Sequence, residues 1–237
     1  MRRFSTAGLI WALAIVLPAV SLLSMTVGTV SISVGDLFAA DNNQTQTILF
    51  DIRLPRILLA ICVGAVLSST GAVMQGLFRN PLADPSLIGV SSGASVGASL
   101  MIVAAGGFIH SGALLGLSLV AVGAFVGGFV ATLVVYRLAT SGIGTSVTTM
   151  LLAGIAIAAI AGALNSLLSY FSDNDMLRQI SLWQMGNLSG ASWTKVTIMA
   201  FVALLLMSLF PRDSRALNAL LLGESEARHL GVDVQAV

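Results

Sequence analysis

The chain alternates between long uncharged runs and short segments that gather nearly all of its ionisable residues. The runs fall at about 7–28, 55–77, 87–108, 112–136, 147–170 and 192–210. Apolar residues follow one another inside each run, with neither the strict alternation of a half-buried strand nor the polar stripe of a soluble helix. A bilayer core about 30 Å thick is crossed by roughly 20 such residues in a helix. The pattern therefore predicts an all-α fold, a polytopic transmembrane bundle with about six spans. An outer-membrane barrel is excluded, because its strands of about ten residues alternate polar and apolar positions. The first run follows Arg2 and Arg3, is too long for the apolar part of a signal peptide, and reads as a retained span.

Composition sharpens this picture. Of 237 residues 57% are hydrophobic and 9% charged, far from the balance of a soluble domain. The net charge of +1 comes without any basic cluster, so a nucleic-acid partner is set aside. The lone Cys62 lies within an apolar run and allows no internal disulfide. With the N-terminus in the cytoplasm, Arg2, Arg3, Arg79, Arg137, Arg212, Arg215 and Arg228 fall inside, while Arg53, Arg56, Arg178 and Lys195 fall outside. This bias favours that orientation.

Small residues recur four apart at Gly93/Gly97, Gly112/Gly116 and Gly123/Gly127, with Ser91/Ser95/Ser99 on a neighbouring register. Such spacing lets helix backbones approach closely and predicts one tightly packed membrane domain over 1–237. Equipment for catalysis is missing. The histidines, His110 and His229, form no metal-ligating pattern, and no nucleophile elbow or paired intramembrane carboxylates occur. No enzyme activity, metal or cofactor is expected. The runs also lack the Asp, Glu or His that ion-coupled carriers place at membrane depth.

The segment Gln75-Gly-Leu-Phe-Arg-Asn-Pro-Leu-Ala-Asp-Pro-Ser-Leu-Ile-Gly-Val-Ser-Ser-Gly-Ala-Ser stands apart. Asn80, Pro81, Asp84 and Pro85 specify a tight turn, and Pro85 with Ser86 suits the first turn of the next helix. This run resembles the membrane permeases of ATP-binding-cassette importers for iron-siderophores, haem and cobalamin. Those carry Asn-Pro-Leu-Ala-(Asp/Glu)-Pro and then Gly-Val-Ser-x-Gly-Ala. Three more segments agree in order: Arg53-Leu-Pro-Arg56 before the second span, Leu151-Leu-Ala-Gly-Ile-Ala in the fifth, and Leu217-Asn-Ala-Leu-Leu-Leu-Gly-Glu-Ser-Glu-Ala-Arg-His-Leu-Gly-Val-Asp near the end. The resemblance covers about Ile48 to the last residue.

The resemblance implies roles for several positions. Arg53 and Arg56 would face the periplasm and receive acidic residues of a substrate-binding protein, their alternative being interfacial anchoring. Residues 211–237 would form a cytoplasmic coupling segment seated on an ATPase, with Leu217, Leu221, Gly223, Glu224, Ala227 and Gly231 as contacts. A short helix at 217–222 ending at Gly223, then a second at 224–230 ending at Gly231, follows from helix-ending glycines. A membrane-surface helix is the alternative. Ser146 and Val147 would belong to a cytoplasmic gate, although Ser and Thr at a helix start also serve as caps.

The implied assembly is a homodimer of permease copies with two cassette ATPases and a periplasmic binding protein, multi-pass in the bacterial inner membrane. It would import haem or a ferric siderophore by alternating access. The stretch Ser172-Asp-Asn-Asp-Met-Leu-Arg-Gln-Ile-Ser-Leu-Trp-Gln-Met-Gly is most similar to haem permeases, with cobalamin as the alternative cargo. The family has about ten spans, of which six are read here. A secondary transporter and a membrane scaffold subunit are the rival classes.

Overall fold

Every backbone polar group inside a bilayer needs a partner within the protein, and a helix supplies one locally. The uncharged runs accordingly form helices in a computed structural model that describes residues 5–28, 30, 43–104, 113–142 and 144–233. Arg2, Arg3, His110, Gly112 and the expected end of the third span lie outside the described residues. Helix α1 spans Thr6–Thr26, capped by Ser5, whose Oγ accepts from the Gly8 N–H at 3.1 Å. The short α2, Asn43–Gln46, leads through a π-helical stretch, Thr47–Arg53, into α3, Leu54–Phe78. A 3-10 turn at Pro85–Ile88 precedes α4, Val90–Ala104, and α5, Ala113–Ala139. Strands β1, Thr140–Ser141, and β2, Gly144–Thr145, make a small antiparallel hairpin. Helices α6, Val147–Tyr170, α7, Asn174–Met185, α8, Trp193–Leu220, and α9, Glu224–His229, complete the order.

The fold is an all-α polytopic bundle. Among the described residues, five helical stretches are long and apolar enough to cross a membrane: 6–26, 44–78, 119–139, 147–170 and 193–220. The third expected span is seen as α4, whose 15 described residues fall short of that length. The second expected span starts earlier than its charges suggested, because Arg53 and Arg56 lie inside a continuous 35-residue helix rather than ahead of it. Pro55 explains the π-helical stretch. It has no N–H, and its ring presses on the carbonyl four residues back; the wider preceding turn, in which the Leu54 N–H reaches the Leu49 carbonyl, accommodates it.

The chain packs as two units, one of residues 1–67 and 188–208, the other of 68–187 and 209–237. The division runs through α3 and α8 rather than falling at a linker. In the second unit, α4 and α5 meet backbone to backbone. A Cβ on Gly123 would lie 2.7 Å from the Gly97 carbonyl oxygen, and one on Gly127 would lie 3.0 Å from the Gly97 Cα. Two of the expected glycine pairs thus form one seam. Around it Ala98, Ile102, Val120, Ala124 and Ile180 are buried, with Met176 and Trp183 of α7 packed against them.

The seam yields a contrast in stability. Gly97→Leu should unfold the second unit at markedly lower temperature in detergent, because forcing side-chain atoms into a full site costs about 1–3 kcal/mol or more. Gly162, in α6, has nothing within 4 Å of an added Cβ. Gly162→Ala should therefore be neutral or raise stability by up to about 1 kcal/mol, the helix preference of alanine. Thermal unfolding of the two variants side by side checks both.

Candidate functional site

Three local structures hold the residues that the sequence singled out. The first lies in the unit of 1–67 and 188–208, around the two arginines of the π-helical stretch. The Arg53 guanidinium donates to the Met25 and Val30 carbonyls, at and beyond the C-terminus of α1. Those carbonyls have no partner in the helix, and a cation is favoured at that end of the helix dipole. Gly28 leaves room for the guanidinium, since a Cβ there would lie 2.6 Å from Arg53 Nη2. Arg56, three residues on, is exposed and lines a cleft of about 670 Å³ with Ser24, Val27, Gly28 and Leu188. Trp193 Nε1 donates to the Phe50 carbonyl at 3.1 Å, tying the π-helical stretch to the start of α8. The two arginines thus differ: one is committed to backbone, the other faces outward.

The second is the turn after α3, in the other unit. Arg79 sits at φ +50, and its N–H and that of Asn80 bond the Gly76 and Gln75 carbonyls at 3.2 and 3.1 Å. This is the left-handed helix ending that glycine usually fills. Asn80 Oδ1 accepts from the Leu82 N–H at 2.9 Å, and the Asn80 carbonyl accepts from the Ala83 N–H at 3.0 Å. Asp84 caps the 3-10 turn, its Oδ1 accepting from the Ser86 N–H at 2.8 Å. The Ser86 hydroxyl, and then its N–H, hold the Asp84 carboxyl below the usual carboxylate range. Pro85 opens a single 3-10 turn, as its fixed φ allows, but Gly89 at φ +80 then ends that turn and α4 starts afresh at Val90.

This turn is pressed onto the start of α6. Met74, Phe78 and Ala83 are buried, with Leu87, Ile88, Val147, Met150 and Leu151 packed around them. Ser146 caps α6: its Oγ accepts from the Thr149 N–H at 3.3 Å. Ser146 is thus the N-cap of α6, and Val147 belongs to the packed cluster.

The third is the end of the chain. Helix α8 continues through Pro211 to Leu220, so residues 217–220 are its last turn and not a separate short helix. The expected break follows at Gly223, φ +119, and α9 ends at Gly231, φ +81, where the Gly231 and Val232 N–H groups bond the Arg228 and Ala227 carbonyls at 3.0 Å. Ala227, expected among the ATPase contacts, is fully buried with Ala219 and Leu220 and offers no surface. Leu221, Leu222 and Leu230 are exposed instead. Leu217 and Leu221 line a cleft of about 650 Å³ together with Gly76, Arg79, Asn80 and Pro81.

Glu224 Oε1 lies 3.7 Å from Arg79 Nη2, with about two fifths of each side chain exposed. A left-handed backbone costs an L-residue roughly 1–2 kcal/mol, whereas an exposed ion pair returns about 0–1 kcal/mol. Stability alone does not account for an arginine at residue 79.

Sequence reasoning overlooked one polar cluster. Asn165, an amide inside an apolar run, donates to Ser95 Oγ at 3.1 Å and accepts from Ser99 Oγ at 2.7 Å. Ser99 is almost wholly buried. An amide at membrane depth is itself a signal, because it must find partners there.

The sequence pattern of the FecCD transport family matches residues 15–237. The hemin transport system permease protein HmuU of Yersinia pestis is 42% identical over 224 residues, which cover 94% of this chain and 66% of that protein. The vitamin B12 import system permease protein BtuC of Shigella boydii serotype 18 is 41% identical over 212 residues, 89% of this chain and 61% of that one. This chain thus spans about two thirds or less of the length of these curated relatives. Among solved structures, a transporter described as of the metal-chelate ABC type, in an inward-facing conformation, superposes with a TM-score of 0.79 at 34% identity, over 96% of this chain and 69% of that one.

Two outcomes follow from the geometry. Arg53→Ala should speed amide hydrogen exchange at residues 24–28 several-fold, because the end of α1 loses its donors, while Arg56→Ala should leave it unchanged. Asp84→Ala should cost about 1 kcal/mol as a lost cap. Because the folded carboxyl titrates below its unfolded value, its contribution is present above about pH 4 and fades as pH falls through the lowered pKa. Asp84→Asn should keep most of the cap without that acid dependence, as urea unfolding between pH 3 and 6 would read.

Proposed function

The chain belongs to the FecCD transport family, and from that premise we propose that it is the permease of an ATP-driven importer, moving haem or a ferric siderophore from periplasm to cytoplasm by alternating access. The observation that carries this reading is the pairing of charge-poor spans with a separate short helix, α9, set off from α8 by Gly223. Helices α1, α3, α4 and α6 hold no Asp, Glu or His that could bind a coupling ion. Energy then enters from outside the bundle, and α9, set off by Gly223 and flanked by exposed Leu221, Leu222 and Leu230, is shaped to sit in a cleft of a partner. That partner is a cassette ATPase on the cytoplasmic side, two of them serving a permease dimer.

In this scheme the N-terminus is cytoplasmic, the membrane is the bacterial inner membrane, and Arg56 docks the acidic surface of a periplasmic binding protein. Arg53 stands beside it while bonding the end of α1, so its part in docking is secondary. Gly223, Glu224, Leu217, Leu221 and Gly231 shape the coupling segment. Ser146 and Val147, at the start of α6, form the gate, and the two arrangements of that start are the states that ATP binding and hydrolysis favour in turn. Haem as cargo is supported by the Ser172–Gly186 stretch and by the hemin permease among the relatives. The B12 permease, at nearly the same identity, supports cobalamin as the second reading.

The test uses a full-length version reconstituted in proteoliposomes with its ATPase and binding protein, offered hemin, a ferric siderophore or cyanocobalamin in turn. Uptake should require ATP and ignore proton and sodium gradients; uptake driven by either gradient without ATP would make the protein a secondary transporter. Arg56→Glu should weaken capture of the binding protein about tenfold at low salt, with the difference shrinking as salt rises. Gly223→Pro, which cannot adopt φ +119, should abolish uptake while the protein still inserts in the membrane.

A further inference from the structure

Arg79 occupies a backbone conformation that glycine would fill without strain, and its guanidinium is directed at the first residue of α9. What the arginine adds over a glycine at this position is its contact with Glu224. Three features show what it connects. Glu224 opens α9 directly after the break at Gly223. The turn that Arg79 begins is closed along its length by hydrogen bonds: the Arg79 and Asn80 N–H groups donate to the Gly76 and Gln75 carbonyls, and Asn80, Asp84 and Ser86 accept from the N–H groups that follow them. The far side of the turn has no slack: a Cβ on Gly154 of α6 would collide with the Leu87 carbonyl, and Val147, Met150 and Leu151 pack around Phe78 and Ala83. By contrast, the wall formed by Gly76, Arg79, Asn80 and Pro81 and that formed by Phe210, Ser214, Leu217 and Leu221 enclose an open cleft of about 650 Å³.

We propose that the Arg79–Glu224 ion pair is a latch that ties α9 to the turn 79–89, so that a displacement of α9 moves the start of α6. Arg79 is then a positioning residue, which acts on the gate through the turn and touches no cargo. This rests on the reading of α9 as the helix that the ATPase displaces. A contiguous chain of packed and bonded groups is the physical requirement for such coupling. Here it runs from Glu224 to Arg79, along the bonded turn to Leu87 and Ile88, and into α6 at Val147 to Gly154. An exposed pair suits a latch, because it can break and re-form without leaving a buried charge unpaired.

Arg79→Gly is the informative variant, since glycine relieves the backbone while deleting the latch. In detergent the variant should unfold at the wild-type temperature or above. Amides 224–231 should exchange hydrogen about tenfold faster, while amides 80–89 stay as protected as in the wild type. In the full-length protein reconstituted with ATPase and binding protein, using hemin and cyanocobalamin as probes, the ATPase should still co-purify and hydrolyse ATP. Uptake per ATP should fall about tenfold. Glu224→Gln should do the same from the other side, and the exchanged pair Arg79→Glu with Glu224→Arg should recover most of the loss. Unchanged exchange in α9 would overturn the latch, and so would uptake per ATP within twofold of the wild type. The exchange measurement needs no transport, so a wild-type protein that fails to import on ATP refutes the importer reading and leaves the latch to be judged on exchange alone.

Discussion

Close approach of two helix backbones at Gly93, Gly97, Gly123 and Gly127 is the constraint on which the larger unit depends. Lipid gives helices no hydrophobic reason to associate, so dispersion contacts and polar bonds between them must suffice, and both require proximity. With α4 held against α5 in this way, Ser95 and Ser99 are presented to Asn165 of α6, and Ala98 and Ile102 share a core with Ile180 of α7. A larger residue in the seam would separate the helices and remove the bonds along with the packing. Large apolar side chains such as Phe125, Phe129 and Ile155 are exposed, where acyl chains can cover them.

The turn between α3 and α4 solves a different problem. A chain leaving a helix exposes carbonyls and N–H groups that need partners, and here side chains and local backbone supply them over residues 79–89. The result is a stiff connector between the end of α3 and the start of α6. Stiffness is what a family member that couples remote motions would require of such a segment, and a flexible loop of the same length would absorb displacement instead of passing it on.

Arg53 and Arg56 show how far one motif can divide its labour. Three residues apart in sequence, they differ in what the fold offers them: carbonyls of α1 for the first, an open cleft for the second. Pro55 between them is buried, and the π-helical stretch that precedes it carries Arg53 at its last position. Neither the split nor the widened helix can be seen in the four letters of the motif.

The sequence by itself determined that the uncharged runs are helical, though not where each helix starts and stops, together with the tight turn at Asn80–Pro85 and the breaks at Gly223 and Gly231. Each of these is set within a few residues, by the cost of charge in hydrocarbon, by the fixed φ of proline, or by the freedom of glycine at positive φ. Tertiary structure decided the rest. Met25 and Val30 as partners of Arg53, Ser95 and Ser99 as partners of Asn165, the burial of Ala227 and the pairing of Arg79 with Glu224 all join residues distant in the chain or facing each other only after a turn. The passage of α8 through Pro211 belongs with them, since proline and the charges beside it argue locally for an end. Local chemistry fixes where a helix can start or stop, but which side chain meets which is settled by packing between helices, and no spacing along the chain records it.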